Sequence, residues 1–378
     1  MATRATDRYD RFGQSMGVRM VGVSHGPLAG VRIVEFDATG PVPLCGMLLA
    51  DLGCDVVRIR RSGPDGSAVA PALYRGRSEI ALDLTDVAAR EQALALISLT
   101  DGVIEGFRAG TMEQLDLDPS RCLTANPRLV YGRMSGWGQD GPLARRAGND
   151  INHLALTGAL HAIGTGSTPV PPLNLIGEYG GGALYLALGM VSGILSAQAT
   201  GRGQVIDVAQ IDGAASLMTL YYALHGAGRW VDARASNLID GGAPFYRCYA
   251  CADGRHVAVG ALEPPYFRAL CEGLGLEPGR FKQYDRACWS DMTTAFSEAF
   301  ATRGRDDWAA QFEDSDACVT PVLSLAEAPD HPHNRARETF NMQEGGVQPA
   351  PAPRFSGSPC AAVPPEPASV DQLLARWE

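Results

Sequence analysis

From Val31 to Met134 the chain alternates short, β-rich apolar runs with stretches of helical pattern. The strand-like runs are Val31–Phe36, Asp55–Arg60, Glu79–Leu84, Val103–Phe107 and Leu129–Met134. Helical pattern fills Pro41–Leu52 and Val87–Ser98 between them. Alternation of this kind predicts an α/β, Rossmann-like architecture, a doubly wound parallel sheet with helices on both faces. The turn after the first run reads Asp37-Ala38-Thr39-Gly40-Pro41 and lacks GxGxxG, so a nicotinamide dehydrogenase is not expected.

Helical pattern dominates from Asn152 to about Gly226, broken by the strand-like Gln204–Val208. The texture changes at Asp240-Gly241-Gly242-Ala243-Pro244. Beyond it, Phe245–Ala252 and Arg255–Val259 flank Asp253-Gly254, a strong hairpin signal that opens a smaller α+β unit over 238–335. Pro349–Pro367 is proline-rich and expected to run extended over the surface.

A formal net charge of -10 argues against nucleic acid as a partner. The nine scattered cysteines read as reduced thiols of a cytoplasmic protein. Cys248 and Cys251 are a close pair, but period two puts them on opposite faces of a strand, which favours packing over a metal site. Tyr179–Ala199 carries no charge and is long enough to span a bilayer. Its glycines and serines, and Glu178 just before it, favour a buried helix instead, so no membrane is expected. Residues 1–27 have no apolar core and read as a flexible extension, with Met16 or Met20 as alternative starts.

Three segments carry the chemistry: Gly136-Trp137-Gly138-Gln139-Asp140-Gly141-Pro142, Ala147-Gly148-Asn149-Asp150-Ile151-Asn152, and Pro171-Pro172-Leu173-Asn174-Leu175-Ile176-Gly177-Glu178. Together they resemble the active-site region of the family III CoA-transferases, most closely the α-methylacyl-CoA racemase branch. The resemblance covers the chain from about residue 28 onward. It implies an interlocked-ring homodimer and an acyl-CoA thioester as substrate, with coenzyme A part of that substrate and no other cofactor. It also implies a large CoA-binding domain over 28–208 completed by 345–378, linker helices over 209–237, the small domain over 238–335, and a C-terminal return over 336–378.

By the same resemblance, Arg61, the run Leu82-Asp83-Leu84-Thr85, and Gly106-Phe107-Arg108 match CoA-contacting positions, while Gly148 to His153, Asn152 included, matches the part that meets the thioester. The first three groups follow predicted strands, where doubly wound sheets bind ligands. Racemases of this type often carry lysine where Thr85 stands and arginine where Gln114 stands, which removes two cationic contacts.

In that branch position 149 is a histidine and 178 an aspartate, the acid/base pair. Here they are Asn149 and Glu178. An asparagine does not titrate, but it can donate a hydrogen bond to a thioester oxygen or cap the helix beginning near Asp150. Glu178 keeps a carboxylate one methylene further out, and a shift of about 1 Å matters to proton transfer. His153 lies one turn from Asn149, where relatives usually have tyrosine, and is read either as a substitute base or as an ordinary buried histidine. Asp150 is expected to orient the loop. Glu263 matches a glutamate that pairs with the catalytic histidine across the dimer, and Asn149 leaves it free as a second carboxylate. The expected function is an isomerase forming a thioester enolate with Glu178 as base. The alternatives are a CoA-transferase with Glu178 as nucleophile, an enolate-based double-bond isomerase or cyclase, and a non-catalytic relative.

Overall fold

Strands that are apolar on both sides need a sheet covered on both faces. The computed structural model, which describes residues 26–61, 70–343 and 346–378, has that architecture. Among the described residues, seven strands line up in one sheet. They are Arg32–Phe36 (β1), Asp55–Arg60 (β2), Arg77–Ala81 (β3), Gly102–Glu105 (β4) and Val130–Ser135 (β5), with Gln204–Ala209 beside β5 and Glu366–Pro367 beside β3. Every pairing is parallel. The chain moves outward from β1 through β2 to β3, then returns to β4 on the other side of β1. The crevice between β1 and β4 is thus the switch point at which such sheets bind ligands.

Alternation along β1 distributes the core. Ile33 joins the side covered by Pro41–Asp51 (α1) and the long helix Leu184–Thr200, through Leu49, Leu186 and Met190. Val34 and Phe36 join the other side, covered by Val87–Ile97 (α2) and Val370–Trp377, through Leu96, Ile97 and Trp377. The helical run Leu175–Thr200 is apolar and long enough to cross a membrane. Here one side lies on the sheet, close enough that a Cβ on Gly132 would come 2.7 Å from Met190 Sδ. The other side leaves Leu184, Leu188 and Leu195 exposed.

The third strand begins two residues earlier than its apolar pattern suggests, because it carries buried charge. Arg77 and Glu35 are both 0 % exposed and pair at 2.7 Å. Arg58, equally buried, bonds Asp37 and Glu79 at 2.7 Å each, and Tyr74 lies beneath the guanidinium groups of Arg58 and Arg77. A Cβ on Gly46 would fall 1.9 Å from Glu35 Oε2, so only glycine leaves room for the pair. Burial pushes the Glu35 carboxyl up to about 7 against the pull of Arg77.

The second unit carries the expected hairpin: Tyr246–Ala250 pairs antiparallel with His256–Gly260 around Asp253-Gly254. Val319–Pro321 adds a third strand. Helices Pro264–Gly273, Trp289–Phe300 and Arg305–Phe312 pack an aromatic core that includes Phe245, Phe267, Trp289, Phe296, Phe300 and Trp308. Cys248 is exposed and Cys251 buried, on opposite sides as their spacing predicts.

The C-terminal return closes on the first unit. Buried Arg75 holds Asp51 through two bonds (2.9 and 2.6 Å) and reaches Gln348 Oε1 at 3.0 Å and the Pro349 carbonyl at 2.9 Å. Trp377 Nε1 donates to Asp55 Oδ2 at 2.7 Å. The extension expected over residues 1–27 lies, apart from its last two residues, outside the described residues.

Candidate active site

Parallel strands deliver their following loops to one edge of the sheet. Arg61 leaves β2 exposed, beside the loop Leu82–Thr85 that leaves β3. Thr85 donates its backbone N–H (3.0 Å) and hydroxyl (2.7 Å) to Asp83 Oδ1. Those two bonds, with the charge of Arg61, hold the Asp83 carboxyl below its ordinary range. Leu82 and Leu84 turn into the apolar core. After β4, Gly106 passes so near α1 that a Cβ would come 2.7 Å from Val42 Cγ2. Glu105, itself pushed up to about 7 by burial, accepts the Phe107 N–H at 2.8 Å and turns Phe107 toward Phe36. This ends β4 at Glu105, two residues before the expected boundary, and leaves Arg108 exposed at the switch point.

Glu178 reaches the same edge on a π-helical turn, Leu175–Ala183, that runs into the long helix. Glycines make the approach possible. A Cβ on Gly181 would lie 2.6 Å from Ala214 N, one on Gly213 1.9 Å from Gly181 O, and one on Gly182 3.0 Å from Pro41 Cβ. The half-buried carboxylate therefore faces Gly40, just after β1, where a Cβ would stand 3.4 Å from Oε1. Gly40 has φ 81°, a conformation that favours glycine. Asn174 Nδ2 donates to Glu178 Oε2 at 3.0 Å. Asp150, buried, accepts the Glu178 backbone N–H at 2.6 Å and so fixes that backbone.

Asn149 is exposed and is the N-cap of the helix Asp150–Leu156, with its N–H donated to Asn152 Oδ1 at 3.0 Å. Gly148 stands immediately before it. His153 is 2 % exposed, with Nδ1 2.7 Å from Gln210 Oε1 and the Trp137 ring edge-on at 4.5 Å. Desolvation pushes the His153 pKa down, while Gln210, Asp150 and Glu178 pull it up. The structure thus brings Gly40, Asn149, Asp150, His153, Asn174, Glu178 and Gln210 together.

Glu263 is elsewhere. It is exposed at the N-terminus of Pro264–Gly273 in the second unit, near Cys318, and among the described residues its side chain makes no hydrogen bond or ion pair. No group of three His, Cys, Asp or Glu able to hold a metal occurs among the described residues.

Three contributors escape a reading of the sequence alone. Asn174 had a usable signal, four residues before Glu178 on one helical face. Gly40 lies in a turn whose sequence shows only the lack of a dinucleotide fingerprint. Gln210 has no local signal, being 57 residues from the histidine it holds.

The family model described as CoA-transferase family III matches residues 28–370. Over 344 residues, 89 % of this chain and 88 % of the relative, the sequence is 43 % identical to the alpha-methylacyl-CoA racemase of Mus musculus. The human alpha-methylacyl-CoA racemase is 40 % identical over 340 residues, 89 % of this chain and 88 % of the relative. An acetyl-CoA:oxalate CoA-transferase of Acetobacter aceti is 27 % identical over 365 residues, 88 % of this chain and 90 % of the relative. Among solved structures, a CAIB/BAIF family protein from Brucella suis superposes with a TM-score of 0.79 at 23 % identity, covering 93 % of this chain and 98 % of that one.

Proposed function

Because the chain belongs to CoA-transferase family III, we propose that it is an isomerase acting on an acyl-CoA thioester through its enolate, in the manner of an α-methylacyl-CoA racemase. The racemases at 43 % and 40 % identity support the reaction class. The observation that carries the mechanism is the Glu178 carboxylate, half-buried at the crevice, with Oε2 held by Asn174 and Oε1 facing Gly40.

The α-hydrogen of a thioester is only weakly acidic, so its removal needs a positioned base and donors aimed at the thioester oxygen. Glu178 Oε1 is the base. Asp150 sets its height through the backbone, and Asn174 sets its rotation. Asn149 donates from its carboxamide to the oxygen on which charge develops. Arg61 and Arg108 bind the phosphates of coenzyme A, and Leu82–Thr85, Gly106 and Phe107 line the path of its pantetheine arm. The working form is a homodimer. A second copy covers the exposed Leu184, Leu188 and Leu195 and brings its own Glu263 toward this site.

Incubation with a 2-methylacyl-CoA in deuterated water is the test. Deuterium enters the α-position with the natural protein, and Glu178→Gln slows that at least 100-fold. No incorporation by the natural protein sinks the enolate reading. A transferase reading has one observation in its favour: among the described residues Glu178 Oε1 accepts no hydrogen bond and is open to an acyl group. An acyl or CoA adduct on Glu178 by mass spectrometry, with exchange into a free acid, would move the function to that class.

A further inference from the structure

Buried polar atoms seldom lack partners, and each one that does is costly. Among the described residues, two of these atoms belong to one place: Trp137 Nε1 on the segment Gly136–Gly148, and His153 Nε2 beneath it. His153 explains the arrangement. Its Nδ1 lies 2.7 Å from the Gln210 amide oxygen, which only accepts, so the proton is on Nδ1 and Nε2 carries a lone pair. That lone pair is pinched between two glycines. A Cβ on Gly136 would fall 2.1 Å from Nε2, and one on Gly148 2.8 Å from it. The same Gly148 position is 2.8 Å from Trp137 Nε1. A basic nitrogen and an indole donor therefore meet at one backbone point next to Asn149, and neither has a partner. Along the segment, Gly138 and Gly141 have φ of 92° and 88°, turns that glycine can open and close without side-chain strain.

We propose that the strap Gly136–Gly148 lifts when the thioester binds, uncovering His153 Nε2 as the second proton-handling group of the reaction, in place of an imidazole at position 149. The idea rests on the enolate reading given above. In one direction Nε2 takes the α-proton, and the C–H electron pair moves into the enolate, with charge on the thioester oxygen. Protonated Glu178 then gives its proton to the opposite face of the α-carbon, and the charge returns to a C–H bond. The outcome is an inverted thioester, an imidazolium at His153 and a carboxylate at Glu178, and the reverse transfer restores the start. The pair carries one proton, on Glu178 at the outset; the neutral imidazole that goes with it is the form burial favours, against the pull of Asp150 and, once its proton has left, of Glu178. Gln210 keeps the tautomer correct and is a positioning residue.

Both enantiomers of a 2-methylacyl-CoA are followed in deuterated water, and the one whose α-hydrogen faces Glu178 separates exchange from inversion. His153→Phe is expected to lose inversion at least 100-fold while single-face exchange, run by Glu178, slows less than fivefold. His153→Gln, which keeps a polar side chain, is expected to do the same if the phenylalanine variant fails to fold. Exchange and inversion falling together would overturn the proposal. Gln210→Glu places a carboxylate against Nδ1 and shifts the acidic limb of the inversion profile to higher pH; an unmoved limb counts against it. Backbone amide hydrogen exchange read by peptide mass spectrometry follows the strap without activity. Exchange over residues 136–148 rises when an acyl-CoA is bound, and exchange unchanged by the ligand rejects the lifting strap. If the natural protein exchanges no α-hydrogen, the enolate reading and this role fall together. If it exchanges and inverts but His153 variants lose both in parallel, only this role falls.

Discussion

The two units are built from opposite materials. The seven-stranded unit hides charge: Glu35 with Arg77, Arg58 with Asp37 and Glu79, Arg75 with Asp51, and Glu105 with Arg133. The second unit packs rings against rings, as Phe245 does against Phe267 and Trp289, and Tyr249 against Phe300. Aromatic packing stabilises through area and tolerates small shifts. A buried ion pair adds little net stability, but it punishes misplacement, because a lone buried charge is costly. Apart from Arg75–Asp51, which lies where β2 and β3 begin, the charged groups include Glu35, Arg58 and Glu105, near the strand ends that lead into the Asp37–Gly40, Arg61 and Gly106–Arg108 loops. The difference therefore separates a unit built for placing loops from one built as a platform.

The largest effects come from cutting each material. Arg77→Met strands Glu35 without its partner and costs about 3–5 kcal/mol in denaturant unfolding. Phe296→Ala in the aromatic core also costs about 3–5 kcal/mol. The two separate on pH. The Arg77→Met deficit shrinks on acidification, as Glu35 takes up a proton, while the Phe296→Ala deficit holds constant between pH 5 and 8. A pH-independent Arg77→Met deficit would erase the contrast.

Glu35→Gln is a smaller change. The folded-state pKa of Glu35, about 7, lies above its ordinary 4.5, so between those values the native state binds more protons than the unfolded chain. Stability from this group is full below about 4.5 and declines as pH rises through about 7. The variant flattens that part of the stability–pH curve, read from denaturation midpoints. The smallest effect is expected at the site itself. Asn174→Ala removes one hydrogen bond to Glu178 Oε2, slows α-exchange roughly tenfold and shifts stability by no more than about 1 kcal/mol. A loss as deep as that of Glu178→Gln would make Asn174 a reacting group rather than a positioning one.

What the sequence revealed follows the same division. Apolar runs made β1, β2 and α1 plain, and Asp253-Gly254 set the hairpin, because hydrophobic period and turn chemistry are local. The third strand begins two residues before its apolar pattern, because Arg77 looks solvent-facing until Glu35 is seen opposite it, and it ends three residues before it, where Asp83 and Thr85 form a turn. The π-helical winding of Leu175–Ala183 has no periodic signature, since it depends on a helix some thirty residues later offering Gly213 to Gly181. Glu178, Asn149, Asp150 and His153 could be named from their motifs. Their partners Gly40 and Gln210 could not, because proximity across the sheet edge leaves no mark in the nearby sequence.

The clasp formed by Arg75, Asp51 and Gln348, with Trp377 on Asp55, has a consequence for biosynthesis. The sheet's edge strand and the helix that seals Leu96 and Ile97 are translated after the whole second unit. On the ribosome the aromatic unit has its core complete while the charged unit still shows an open edge and an unsealed apolar face. That interval is when nascent chains most need shielding by chaperones. It places the most aggregation-sensitive moment of this protein's life in the unit that carries Glu178.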